Sequence, residues 1–171
     1  RVCNQHNFSD YADYLHENLP AQAELDLQRE KPLNPAPLVS VAIACSGASR
    51  AAVRSTLEAL GKQTYANFEV CVVSELAQAG LTDYEGIPKF RLVLFNGTAH
   101  EQLKAAEKML NGAYFLQLLP GDLPAPDALH MLVLQTHANP EAEVVFADED
   151  SVIDGIRQNP IFKPDYGRDT L

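Results

Sequence analysis

The sequence predicts an α/β chain with a doubly wound, mainly parallel sheet, and three observations carry that expectation. Short apolar runs rich in β-branched residues recur from residue 38 onward. They alternate with longer segments whose apolar residues repeat at helical spacing. The runs are near-continuous rather than alternating, which is how strands buried on both faces read. Such strand–helix alternation implies parallel strands joined by right-handed crossovers.

Residues 1–36 read as a helical appendage ending in a proline-rich linker. Phe8, Tyr11, Ala12 and Leu15 fall at i, i+3, i+4 and i+7, one apolar helix stripe. Asn7 or Ser9 can cap it and Pro20 ends it. A second helix is expected over residues 21–29, and Pro32, Pro35 and Pro37 make a stiff linker. The stripe must be buried somewhere, against the domain or against neighbouring sequence.

Residues 37–171 form the domain proper. Residues 38–45 (LVSVAIAC) predict the first strand. The helix after it carries Val53, Leu57 and Leu60 on one face, and Gly61 stops it. Residues 68–73 and 90–95 predict the next two strands. Thr98 and Glu101 have capping-box spacing ahead of a helix with Leu103, Ala106 and Leu110 inward. Residues 113–119 predict a fourth strand. Pro124 and Pro126 open a helix with Leu129, Leu132 and Val133 inward. Residues 143–147 predict a fifth strand. Leu57, Leu60, Val70, Val72, Leu116, Leu118, Leu129 and Val145 are the expected core. Ligands of such sheets bind beyond the carboxyl ends of the strands. That directs attention to residues 44–49, 74–80, 96–99, 119–123 and 148–154.

Composition narrows the function. The chain has 171 residues, 46% of them hydrophobic, enough for a core. Its 23 acidic and 13 basic residues leave a formal net charge of −10. A phosphate backbone is repelled by that balance, so nucleic acid is excluded as a partner. No apolar run approaches the roughly 20 residues of a membrane span. Cys3, Cys45 and Cys71 lack metal-ligand spacing and read as free thiols, the latter two buried, in a reducing compartment. His130 and His137 lie about two helical turns apart, too far for one metal. Neither a Walker A motif nor G-x-G-x-x-G is present. The start at Arg1 reads as a piece cut from a longer protein.

The order and spacing of several short stretches resemble family 2 glycosyltransferases of the GT-A fold. Pro37-Leu38-Val39-Ser40-Val41-Ala42-Ile43 is similar to their opening strand. Leu57 to Leu60 followed by Gln63-Thr64-Tyr65-Ala66-Asn67-Phe68-Glu69-Val70 resembles their S-x-x-x-Q-T-Y-x-N-x-E stretch. Gly112-Ala113-Tyr114 resembles G-E-Y. Asp122-Leu123-Pro124-Ala125-Pro126-Asp127-Ala128-Leu129 resembles D-x-L-x-P-x-A-L. Ala147-Asp148-Glu149-Asp150, Ile153-Asp154-Gly155 and Phe162-Lys163-Pro164-Asp165-Tyr166 with Asp169 resemble S-D-E-D-x-I-D and F-K-P-D-W-x-P-D. The likeness spans residues 37–171, and the pattern is nearest to bacterial cell-surface polysaccharide enzymes.

The resemblance implies sugar transfer from a nucleotide sugar, with Mg or Mn held by a D-x-D pair to offset the diphosphate. An acceptor hydroxyl then needs a carboxylate base. This sequence departs from that equipment. Ala44-Cys45-Ser46-Gly47 replaces P-x-Y-N, and Ser74-Glu75-Leu76-Ala77 replaces D-D-G-S. Leu103-Lys104 replaces R-N, and Leu119-Pro120-Gly121-Asp122 replaces D-x-D-D. The family's acceptor half, with its base, lies after the point where this chain stops.

The candidate binding residues are therefore Ser46, Glu75, Asp122, Asp148, Asp150 and Lys163, with no catalytic residue and no metal ligand assigned. Each has two readings. Asp122 is a residual ligand or a turn residue that favours the next helix start. Glu75 is a base-recognising acceptor or a solvated acid. Asp148-Glu149-Asp150 binds a cation or sugar hydroxyls, or holds the loop after it through backbone N–H groups. Alternation would point Asp148 and Asp150 one way and Glu149 the other. Lys163 contacts a phosphate or is solvated and ion-paired.

Two functions are consistent with these residues. One is a catalytically silent glycosyltransferase-like domain, a scaffold or partner-binding module that needs no cofactor. Its partner is the remainder of its own polypeptide or another polysaccharide-synthesis protein. The other is an active transferase whose site is completed outside this chain. The expected location is the cytoplasm, or the inner membrane face through the parent protein.

Overall fold

The structure is a computed structural model and describes residues 8–75, 87 and 89–163, with residues 8–10 as backbone alone. Cys3, the Phe8 side chain, the caps at Asn7 and Ser9, residues 76–80 and residues 164–171 lie outside the described part.

Two helices lead the chain, α1 (Phe8–Asn18) and α2 (Gln22–Glu30). Then come β1 (Val39–Ala44), α3 (Arg50–Leu60), β2 (Phe68–Ser74), β3 (Phe90–Leu94), α4 (Ala99–Glu107), β4 (Tyr114–Leu118) and α5 (Ala128–Ala138). A hairpin of β5 (Glu149–Ile153) and β6 (Ile156–Ile161) completes the order.

β1 to β4 form one sheet in the order β3-β2-β1-β4, with every neighbouring pair parallel. β1 and β2 are central, and every residue in them is buried. Successive side chains of these strands face opposite layers. On one face Val39, Val41, Ile43, Val70 and Val72 pack with Val53, Leu57 and Leu60 of α3 and Leu129 and Val133 of α5. On the other, Ala42, Cys71 and Val73 pack with Ala106 of α4. Each fully buried Leu or Val contributes roughly 1.5–3 kcal/mol of transfer free energy. The result is helix, sheet, helix, as the run pattern predicts.

The helix starts are fixed by local hydrogen bonds. Ser49 accepts from the Ala52 N–H at 3.2 Å and caps α3. Thr98 and Glu101 complete a capping box on α4. Tyr11 is buried and Leu15 half-buried, so the α1 stripe does pack, and it packs against the hairpin. The Tyr14 ring meets Phe162 edge-on at 5.3 Å.

Two readings need correction. Residues 143–147 are not a strand; they have no ladder partner, and the outer edge of β4 stays unpaired among the described residues. A β-rich composition forms a strand only where another strand receives its backbone. Leu116, Leu118 and Val145 are consequently half-buried rather than buried. The β5–β6 hairpin, conversely, lies where the sequence predicts no hairpin. Its two-residue turn places Asp154 at φ 52° and Gly155 at φ 78°, the primed turn that Asp-Gly favours.

Candidate functional site

The carboxyl ends of β1, β2 and β4 bring three of the six candidate residues to one edge of the sheet. Ser46 comes after β1 and Glu75 after β2, and the Cys45 N–H to Val73 carbonyl bond of 2.9 Å holds the two strand ends in register. The Ser46 hydroxyl donates to Glu75 Oε1 at 3.4 Å, and both residues are exposed. This long contact leaves the pair available to a ligand.

Asp122, beyond β4, is differently placed. Its Oδ2 accepts the Leu119 N–H at 2.7 Å, closing the 119–122 turn on itself. Gly121 sits at φ 104°, where a side chain would be strained. Its N–H is shared between Thr56 Oγ1 at 2.9 Å and the Ala52 carbonyl at 3.1 Å. The loop is thereby fastened to α3. Leu119, Pro120 and Gly121 carry no donor side chain for a cation, which leaves Asp122 alone.

Asp148, Asp150 and Lys163 gather at the hairpin. Asp148 Oδ1 accepts the Lys163 N–H at 2.8 Å, and Lys163 Nζ stands 3.5 Å from Glu149. Asp150 Oδ2 takes Arg157 Nε at 2.6 Å and also the Tyr11 hydroxyl. The Asp150 side chain is only 9% exposed. Both aspartates are therefore engaged, with different partners, in closing the hairpin and seating α1 on it. Among the described residues, no three His, Cys, Asp or Glu side chains stand where they could share a metal ion.

Burial, followed by the Asp150 hydrogen bond and charge, pushes the Tyr11 phenol up to about 12. Burial likewise pushes the Cys45 and Cys71 thiols to about 11, so both are inert neutral thiols. His130 is buried, and desolvation pulls its imidazole down.

The motif residues that carry the family resemblance serve the frame. Gln63 donates to the Ala125 carbonyl at 2.6 Å and accepts the Leu129 N–H at 3.0 Å, tying α3 to the start of α5. Thr64 donates to Gln28 of α2 at 2.7 Å. The Tyr65 hydroxyl donates to the Pro37 carbonyl, and Asn67 to the Ala36 carbonyl at 2.7 Å, anchoring the linker. Glu69 is buried beneath the sheet, at the end opposite Ser46 and Glu75. It accepts from Asn111 N–H at 2.6 Å and from Ser40 at 2.8 Å, with Arg91 3.7 Å away. The sequence assigns Glu69 no such role; its signal is a lone acid inside an apolar run.

No protein-family profile matches the chain. It is 33% identical over 144 residues, 79% of its length, to the uncharacterized protein y4gI of Sinorhizobium fredii. It is 25% identical over 174 residues, 96% of its length, to the O-antigen biosynthesis protein RfbC of Myxococcus xanthus. The chain spans 16% and 14% of those two relatives. Two solved structures of S. aureus TarS superpose with TM-scores of 0.50 and 0.51 at 17% identity. They cover 59% and 60% of this chain, and it covers 19% and 33% of them. The fold is GT-A-like, and the resemblance to polysaccharide glycosyltransferases holds at that level.

Proposed function

We propose that this chain is a GT-A-like glycosyltransferase module of a larger bacterial polysaccharide-synthesis protein, one that transfers no sugar itself and acts as a scaffold or partner-binding unit. One observation carries the reading: three of the four candidate carboxylates, all but Glu75, are committed to the fold. Asp122 holds the Leu119 N–H, Asp148 the Lys163 N–H, and Asp150 both Arg157 and Tyr11. Mg²⁺ requires near-octahedral oxygen ligands and sheds water reluctantly, so a lone engaged carboxylate is a poor start. The net charge of −10 further disfavours an anionic donor. The cytoplasm, or the inner membrane face through the parent protein, is the location this reading implies. No described helix is long and apolar enough to cross a membrane.

A second reading, an active transferase completed by residues outside this chain, draws on the Ser46–Glu75 pair, which is polar, exposed and at the strand ends. Titration calorimetry with UDP- and GDP-sugars plus Mn²⁺ separates the two. The silent module shows no binding tighter than about 100 μM, or about 5.5 kcal/mol. Tighter binding, abolished in a folded Glu75→Gln variant, would replace it with the enzyme.

A further inference from the structure

A cleft of about 170 Å³ opens between α1 and the β5–β6 hairpin. Residues from 11 to 19 supply one wall and residues from 148 to 162 the other. The first wall precedes residue 37, so it comes from outside the stretch that carries the family resemblance.

The apolar surface of the cleft is aromatic. Tyr14 and Phe162 both line it, meet edge-on, and stay 41% and 44% exposed. Tyr11 is buried and stacks on Tyr14 with 6.0 Å between ring centroids. The Tyr11 hydroxyl is in turn fixed by Asp150. The rings are thus a pre-formed surface, with the negative faces that aromatic systems present.

The polar surface offers both donors and acceptors. Arg157 gives Nε to Asp150, and its terminal nitrogens hydrogen-bond to no described residue. Asn18 donates Nδ2 to the Tyr14 carbonyl, which leaves its Oδ1 as an acceptor. Asp148 accepts the Lys163 N–H on Oδ1, and its Oδ2 accepts from no described residue. A hydroxyl group donates and accepts at once and asks for only one such lone pair.

Charge narrows the class of ligand. A diphosphate would face Asp148 and Glu149. A cation would face Arg157, with Lys163 3.5 Å from Glu149 beside it. A purely apolar chain would take the polar wall out of water without replacing its hydrogen bonds. A sugar ring has what each wall lacks: weakly positive C–H groups for the aromatic faces and hydroxyls for the polar side.

We propose that this cleft seats one pyranose unit of a neutral glycan, bound and not reacted. Its C–H face lies on Tyr14 and Phe162, and its hydroxyls meet Asp148, Asn18 and Arg157. A cavity of roughly 150 Å³ accepts one benzene-sized ring. The cleft is of that size and open, so one unit enters while the rest of the glycan stays outside. It shares no lining residue with the Ser46–Glu75 pair. The proposal therefore goes beyond the silent-module reading and stands under either function.

Amide chemical shifts of the 171-residue chain, titrated with neutral trisaccharides of glucose, galactose, mannose and rhamnose, test it. At least one of these is expected to give saturable shifts in α1 and the hairpin. The expected Kd is about 1 mM, the strength one ring in an open cleft permits. Tyr14→Leu and Phe162→Leu keep apolar bulk but remove the aromatic face, and each weakens binding about tenfold. Tyr14→Phe retains it. The unshifted remainder of each spectrum reports that the variant is folded. No saturable shift with any of these glycans up to about 10 mM overturns the proposal. Binding that ignores both leucine variants overturns it too. So does tetramethylammonium shifting the same amides at lower concentration than every glycan, which makes the occupant a cation. The donor calorimetry answers separately. Donor binding lost in Glu75→Gln but kept in Phe162→Leu sinks the silent reading and leaves the glycan site. Absent glycan shifts with no donor binding keep the silent module and remove the site.

Discussion

Arg157 closes on Asp150 across the β5–β6 hairpin, its Nε 2.6 Å from Oδ2, and the same oxygen receives the Tyr11 hydroxyl from α1. One carboxylate thus joins the hairpin to the N-terminal helix. Hydrogen bonds to charged groups contribute about 1.5–3 kcal/mol, and the half-open position of Arg157 places this one toward the low end. Asp150→Asn is expected to lower unfolding free energy by about 1–2 kcal/mol in urea denaturation. Tyr11→Phe, which removes one of the two partners, is expected to cost less.

The Tyr11 phenol titrates late. Its pKa rises from the ordinary 10.0 to about 12, first through burial and then through Asp150. The folded state therefore holds the neutral phenol more tightly than the unfolded chain does. That contribution is fully present below pH 10.0 and is lost as pH rises toward about 12. Ultraviolet titration of wild type against Tyr11→Phe isolates this phenolate. In Asp150→Asn its midpoint drops but stays above 10.0, because burial remains.

Glu69 behaves oppositely. Burial alone would raise its pKa, but the Asn111 N–H, the Ser40 hydroxyl and the Arg91 charge outweigh burial and hold it below the ordinary 4.5. A depressed acid contributes stability above that value and loses it as pH falls through the folded pKa. Glu69→Gln is expected to cost about 1–3 kcal/mol at neutral pH. The variant also flattens the fall in melting temperature below pH 4.5.

Gly112 lies against the same network. A Cβ there would stand 2.5 Å from Ser40 Oγ, 2.7 Å from Ser40 N and 2.8 Å from the Leu38 carbonyl. Two of these atoms are backbone and cannot step aside. Gly112→Ala is expected to destabilise by about 1–3 kcal/mol or more, from overpacking and from the disturbed 2.7 Å bond between its N–H and Ser40. A lowered urea midpoint at unchanged slope is the readout.

What the sequence discloses is what neighbours along the chain decide. β1 to β4 fall within a residue or two of their apolar runs, and the Thr98–Glu101 box needs only its three-residue spacing. Asp154-Gly155 carries a hairpin signal of the same local kind, hidden inside a stretch that also matches a family motif. Residues 143–147 have strand composition, but a strand is a relation to a partner that composition does not supply. Asp150 illustrates the limit for the site. Its fate is set by Tyr11, 139 positions away, as that of Glu69 is set by Asn111, 42 away. No periodicity reports such pairings.

The candidate residues therefore divide by what each holds, and the division can be measured. Asp122 accepts a backbone N–H at 2.7 Å within a turn that α3 also grips, so Asp122→Ala frees one donor and loosens the loop. A lost hydrogen bond of this kind costs about 0.5–1.5 kcal/mol, seen as a lowered denaturation midpoint. Ser46 and Glu75 meet each other at 3.4 Å and in the open. Ser46→Ala and Glu75→Gln are expected to leave the midpoint where it is, within about 0.5 kcal/mol, as exposed substitutions usually do. A donor contact at the strand ends would then show itself separately, as calorimetric heat lost in Glu75→Gln at unchanged stability. If Glu75→Gln instead destabilises as much as Asp122→Ala, the pair is part of the frame, and no candidate residue remains free for a ligand.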